Sequence, residues 1–182
     1  TLSDLYSEKD CEIAFNKEIF NQILNAEPPK NWMKEHPMIK MKGRPAKYLP
    51  IDKVQFLWRK MFKSFEPEII SYCQLFNAVS VHARIWYTDP TDGVRRFVDG
   101  AGAQSVQLNA GSNASDLASI KADAVAKAFP SAYSYALKNA AKKLGRIFGD
   151  EINDDDPTIY KIDDKIVDKI NAFKLKEIEA NE

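Results

Sequence analysis

The chain has 182 residues, 45% of them hydrophobic, and carries 26 Lys and Arg against 26 Asp and Glu. That is enough for one sizeable core with an appended tail and too little for two independent domains. Cys11 and Cys73 form no CxxC pair, which argues against a disulfide framework or a thiolate metal site. No apolar run reaches the roughly 18 residues that cross a bilayer, and the first residues are acidic and amphipathic rather than leader-like, so a soluble, cytoplasmic protein is expected.

Neutral net charge conceals a strong segregation of sign. Residues 30 to 63 hold ten Lys and Arg against two acids, and residues 121 to 149 hold six against one. By contrast, residues 1 to 29 hold two against six, and residues 150 to 182 hold five against eleven. Phosphate contacts act within a Debye length of about 8 to 10 Å, so two basic blocks in an acidic frame mean more for a polyanionic ligand than the sum does.

Taken in order, residues 8 to 25 read as a first helix, with Ile13, Ile19, Phe20, Ile23 and Leu24 on its apolar stripe, ended by Pro28 and Pro29. Residues 30 to 50 are rich in Lys and Pro and read as an extended basic arm with room for one short strand. Residues 51 to 64 return to helical period, placing Val54, Leu57, Trp58 and Met61 on one side. Strands follow near 68 to 75 and 78 to 88. In the second, Val79, Val81, Ala83, Ile85 and Tyr87 alternate with Ser80, His82, Arg84, Trp86 and Thr88, the pattern of a sheet covered on one face. The turn residues DPTDG at 89 to 93 lead into a third strand, VRRFVDG, and complete an antiparallel meander. The glycine pair in DGAGAQ then reads as easing a close turn, with a mobile loop over 101 to 115.

Ser115 is placed to cap a helix from about 116 to 129, and Pro130 either kinks it or starts the next. Residues 131 to 149 read as a two-faced helix. Tyr133, Ala136, Leu137, Ala140, Ala141, Leu144, Ile147 and Phe148 share the packing side, while Lys138, Lys142 and Arg146 recur every fourth residue opposite, beside Tyr135. Gly145, costly inside a helix, suggests the close approach of another backbone, and Gly149 suits a cap. After the acidic run DEINDDDP, a last helix is expected over 158 to 180, with Ile159, Ile162, Ile166, Ile170 and Phe173 on one face. The order predicts an α+β fold: a curved antiparallel β-meander packed against helices.

Three segments within residues 40 to 149 resemble the annealing domain of the Rad-fifty-two superfamily of single-strand annealing proteins, many of them phage recombination proteins. They are the arm and helix KMKGRPAKYLPIDKVQFLWRKMF, the meander VSVHARIWYTDPTDGVRRFVDGAGAQ and the helix AYSYALKNAAKKLGRIFG. The resemblance covers an annealing domain at 40 to 153, leaving an N-terminal helix and linker at 1 to 39 and an acidic linker and C-terminal helix at 154 to 182. It implies a homo-oligomer, a ring or helical filament, whose positive groove holds single-stranded DNA and the annealed duplex without nucleotide hydrolysis or any cofactor. It also implies work beside a single-strand-binding protein or an exonuclease. Matched position by position, the DNA-binding residues are Lys40 and Lys47 in the arm and Lys138 and Lys142 in the helix. The sequence departs from the family at Asn139, where several relatives carry a second base, and at Gly43, Arg44 and Pro45, which replace a glycine run.

From the residues themselves, Lys42, Arg44 and Arg146 extend the basic surface, and Arg84 is a further DNA-contact candidate. Tyr48, Trp86 and Tyr135 are candidates for base stacking. Arg95 and Arg96 are candidates for an outer duplex contact, or else blunt a sheet edge. The absence of a GxxxxGK[ST] loop agrees with a mechanism free of ATP. Two rivals stand beside this reading: a Mg²⁺-dependent nuclease using Asp150, Glu151, Asp154, Asp155 and Asp156, and an adaptor that recruits partners through the C-terminal isoleucine face.

Overall fold

The computed structural model of the chain describes residues 8–113, 115–158 and 168. Helix α1 runs Glu8–Leu24, strands β1 and β2 run Lys34–Met41 and Arg44–Tyr48, and helix α2 runs Ile51–Phe62. Strands β3, β4 and β5 run Glu66–Leu75, Ala78–Thr88 and Arg95–Ser105, followed by helix α3, Ala124–Lys142. The C-terminal helix expected over 158 to 180 falls almost wholly outside the described residues.

The three long strands form an antiparallel sheet in the order β3, β4, β5. The expected alternation holds on β4: Val79, Val81, Ala83, Ile85 and Tyr87 are buried toward the helices, and the residues between them face outward. β5 is longer than the sequence suggests, because its last residues, Ala101–Ser105, pair with β4 where a mobile loop was expected.

The glycine pair explains that difference. Gly100 and Gly102 lie inside β5, under α3, and ease no turn. A Cβ on Gly100 would stand 2.1 Å from the Ala136 carbonyl oxygen, and one on Gly102 would stand 2.3 Å from that of Ala132. Strand and helix therefore meet backbone to backbone, which only glycine on one side and small residues on the other permit. The helix supplies them: Ala124, Ala128, Ala132, Ala136 and Ala140, four apart, are all buried. Asn139, the departure from the annealing-protein pattern, donates from Nδ2 to the Ala101 carbonyl at 2.9 Å and ties the helix to the same strand.

Around Pro130 the expectation is also corrected. The expected helix begins only at Ala124; before it the chain makes a single tight turn at Leu117–Ser119 and folds back, with Leu108 bridging Ile120 and the amides of Asn109 and Lys121 donating to Ser119 and Gln107. Those backbone groups are satisfied across the loop and are not available to a helix. α3 then runs through Pro130 as one helix, its continuous alanine stripe packed on the sheet. It stops at Lys142, not at 149. The last turn tightens to bonds three residues apart, from Lys143, Leu144 and Gly145 to Ala140, Ala141 and Lys142. Gly145 then turns away with φ 144°, where a Cβ would meet the Leu24 carbonyl oxygen at 2.5 Å, so the close backbone approach is the end of α1.

The core centres on Trp58 of α2, fully buried among Phe62, Phe65, Tyr87 and Phe148 at ring distances of 5.0 to 6.0 Å. Val54 and Leu57 bury on the same side of α2, as the helical spacing predicts. α1 closes over this end, with Phe20 against Phe62 at 5.6 Å.

Candidate nucleic-acid interface

The basic arm is a β-hairpin and not a loop with a single strand. β1 and β2 pair antiparallel, and Met41 and Arg44 flank a two-residue turn in which Lys42 (φ 50°) and Gly43 (φ 76°) are both left-handed, the pattern of primed hairpin turns. Gly43, one of the three residues that stand in place of a glycine run, is thus used for the turn. Lys40 and Lys47 are exposed on the hairpin.

At the base of the hairpin, β2 meets α3. The Lys138 ammonium lies 4.4 Å from the Tyr135 ring centroid and 5.4 Å from that of Tyr48, so the helix lysine is held between one aromatic from each element. It is half-buried. Burial, and then the charge of Lys142 one turn on, hold its pKa below the ordinary lysine value. Among the described residues neither Lys138 nor Lys142 has a carboxylate in ion-pairing distance. A half-buried ammonium next to a like charge is poorly satisfied, and an anion bound there relieves both the burial and the repulsion. Beside it opens a cleft of about 280 Å³ lined by Pro130, Ser131, Ser134, Tyr135 and Lys138.

Arg146 is not on this stripe. Because α3 ends at Lys142, the residue belongs to the short turn Arg146–Phe148, where its side chain is largely covered and its guanidinium stands 3.9 Å from Glu27.

The outward face of the sheet gathers Arg84, Trp86 and Arg95, while Arg96 stands opposite Tyr87 on the helix-facing side; each of the three arginines meets acid. Arg84 donates from Nε and Nη2 to the two oxygens of Asp99 at 2.7 and 2.9 Å and lies 3.7 Å over the Phe97 ring. This fork holds the Asp99 carboxyl below the usual range and raises the Arg84 pKa. Trp86 donates its indole N–H to Glu68 at 2.9 Å. Arg95 reaches Glu66 at 3.0 Å and stacks 4.9 Å from the Trp86 ring. Arg96 joins Asp89 and Asp92 at 2.9 and 2.6 Å, and Lys17 of α1 reaches Asp92 at 2.9 Å, so the residue ties α1, the turn and β5 together. Arg96 and Lys17 hold Asp92 well below the carboxylate range.

Asp155, considered in the sequence as part of a metal cluster, and Asn153, which sequence reasoning missed, also bear on the hairpin. Asp155 meets both Lys42, at 3.2 Å, and Arg44, and Asn153 bonds the backbone of Lys47 on both sides: its Oδ1 accepts from the amide at 2.7 Å and its Nδ2 donates to the carbonyl at 2.9 Å. The signal is the opposite charge of the two segments, which in the sequence reads as a solvated linker, a metal cluster or a screen over a basic groove. Among the described residues no group of three His, Cys, Asp or Glu is placed to hold a metal ion, and no helix is long and apolar enough to cross a membrane.

The chain matches no protein-family model and no curated protein sequence. The class that fold and site define is therefore an α+β domain with a basic seam between a hairpin and a helix.

Proposed function

We propose that the protein binds single-stranded DNA and anneals complementary strands without a nucleotide cofactor and without catalysis. The observation that carries the reading is Lys138, a half-buried ammonium between Tyr48 and Tyr135, beside Lys142 and with no carboxylate to neutralise it among the described residues. Lysines hold phosphates as point charges, and aromatic rings beside them stack bases without regard to sequence, the combination that non-specific single-strand binding needs. Lys40 and Lys47 extend the basic surface along the hairpin. Bases left unpaired on the protein meet their complements, and duplex formation supplies the driving force.

The resemblance of the hairpin, meander and helix segments to the Rad-fifty-two superfamily supports the same reading, and with it a homo-oligomeric ring or filament working in the cytoplasm beside a single-strand-binding protein or an exonuclease. Two features favour self-assembly. β3 and β5 are the edges of their sheet, and Tyr72 within β3 and Phe76 just after it are about 70% exposed.

The test is annealing of complementary oligonucleotides in EDTA, with binding followed by fluorescence anisotropy across salt. The wild type anneals without metal, and log affinity falls linearly with log salt. Replacing Lys40 and Lys138 together by Ala lowers the slope by about 1.4, at about 0.7 per phosphate on single strands. A double variant that binds and anneals like the wild type, or cleavage that requires Mg²⁺, overturns the reading.

A further inference from the structure

The segment after Gly149 lies along the hairpin. A Cβ on Gly149 would stand 3.5 Å from the Leu49 Cβ, Asn153 bonds Lys47 and Asp155 meets Arg44 and Lys42, so the segment runs antiparallel to β2 and brings Asp155 to the hairpin turn. The path is shaped locally. Gly149 is left-handed, as is Glu151, whose carbonyl accepts the Asp154 amide at 3.1 Å while its carboxylate accepts the Thr158 amide at 2.9 Å. The paired Asn153 bonds copy what a third strand would give β2, and they fix the register that brings Asp155 to the two cations.

We propose that residues 149 to 158 form an autoinhibitory strap in which Asp155 occupies the place of a DNA phosphate on Lys42 and Arg44, so that single-stranded DNA must displace it to use the hairpin. This rests on the single-strand-binding reading above and concerns how that site is regulated. A carboxylate and a phosphate oxygen compete for the same donors, and the Arg44 guanidinium, which donates from Nη2 to Asp155, donates equally well to a phosphate. The strap is built to yield. Asp155, Lys42 and Arg44 are each more than half exposed, and exposed ion pairs are individually weak and weaken further with salt. Lys138 and Lys142, outside its reach, stay open for first contact. DNA therefore engages the helix first and the hairpin second, and short or weak anions that cannot do both leave the strap closed.

Four variants test this by anisotropy with a labelled oligonucleotide. At about 20 mM salt, Asp155→Asn binds about three- to tenfold tighter than the wild type, and the advantage shrinks at about 200 mM. Asn153→Ala, which leaves the charge unchanged, tightens binding in the same direction. Asp156→Asn makes the same charge change at a side chain that meets no cation among the described residues, and it shifts affinity less than about twofold. Adding Lys42→Gln and Arg44→Gln to Asp155→Asn abolishes the gain.

Equal effects of Asp155→Asn and Asp156→Asn overturn the strap and leave only a general charge effect. No gain from Asn153→Ala overturns it as well. If all variants bind DNA alike, the strap falls and the binding function stands. If neither wild type nor Asp155→Asn binds at low salt, both fall.

Discussion

The outward face of the sheet and the seam between hairpin and α3 carry the same kind of charge and treat it in opposite ways. On the sheet, strand register places Arg84 opposite Asp99 on one side and Glu68 on the other, so its cation is neutralised by its neighbours across the strands. α3 itself carries no acid: Asp123, at its N-cap fifteen residues before Lys138, is paired with Lys127, and Asp150, twelve residues after Lys138, lies beyond the end of the helix. A sheet brings distant residues side by side and lets charges cancel; a helix face rich in Ala and Lys has nothing on it to cancel them. Counting arginines and lysines in the sequence treats the two regions as equal. The hairpin tip is intermediate, since its cations are met by a tail residue more than a hundred positions away.

The sharpest way to break the comparison is to remove what holds both regions in one body. Gly100→Ala forces the Ala136 carbonyl away from β5 and should destabilise the fold by about 3 kcal/mol, read as a lower urea midpoint, with DNA binding lost in proportion to unfolding. Next in size, Lys138→Ala should weaken single-stranded DNA binding about tenfold at low salt. Arg84→Ala should leave that affinity within about twofold while lowering the melting temperature, because it strands Asp99. If Arg84→Ala costs more DNA affinity than Lys138→Ala, the assignment of the two regions is reversed.

Titration sharpens the same contrast. Lys138 has a folded pKa below its unfolded value, so it loses its proton earlier than an ordinary lysine as pH rises. DNA affinity of the wild type should fall between neutral pH and about 10, whereas Lys138→Arg should hold steady, since arginine stays charged. The smallest effect is at Asp92, whose depressed pKa adds stability that is complete above the unfolded value of about 4 and lost as pH falls below it. Asp92→Asn should therefore melt below the wild type at pH 7, and the gap should close under acid conditions.

Much of the architecture was legible because it rests on short-range periodicity. The alternation of Val79, Val81, Ala83, Ile85 and Tyr87 against polar neighbours is a local property of an extended chain, and the positions of α1, α2, β3 and β4 followed from such patterns within a few residues. Lys138 and its packing face were legible for the same reason. The glycine pair was misread because a glycine in a turn and a glycine under a helix look alike until the helix is in place. Arg146 was misplaced because the end of α3 is set by Gly145 meeting the Leu24 carbonyl, a contact across more than a hundred residues.

By itself, the sequence determined the α+β class, the burial of one face of β4 and of the alanine-rich side of α3, and the segregation of charge into basic and acidic blocks. Those follow from side-chain period and composition, which need no knowledge of distant neighbours. Only the tertiary structure decided which cations are engaged among the described residues: Arg84, Arg95 and Arg96 by acids, Lys42 and Arg44 by Asp155, and Lys138 by two tyrosine rings. The physical reason is that Coulomb energy and desolvation depend on separation in space, and separations in space are set by strand register and helix packing.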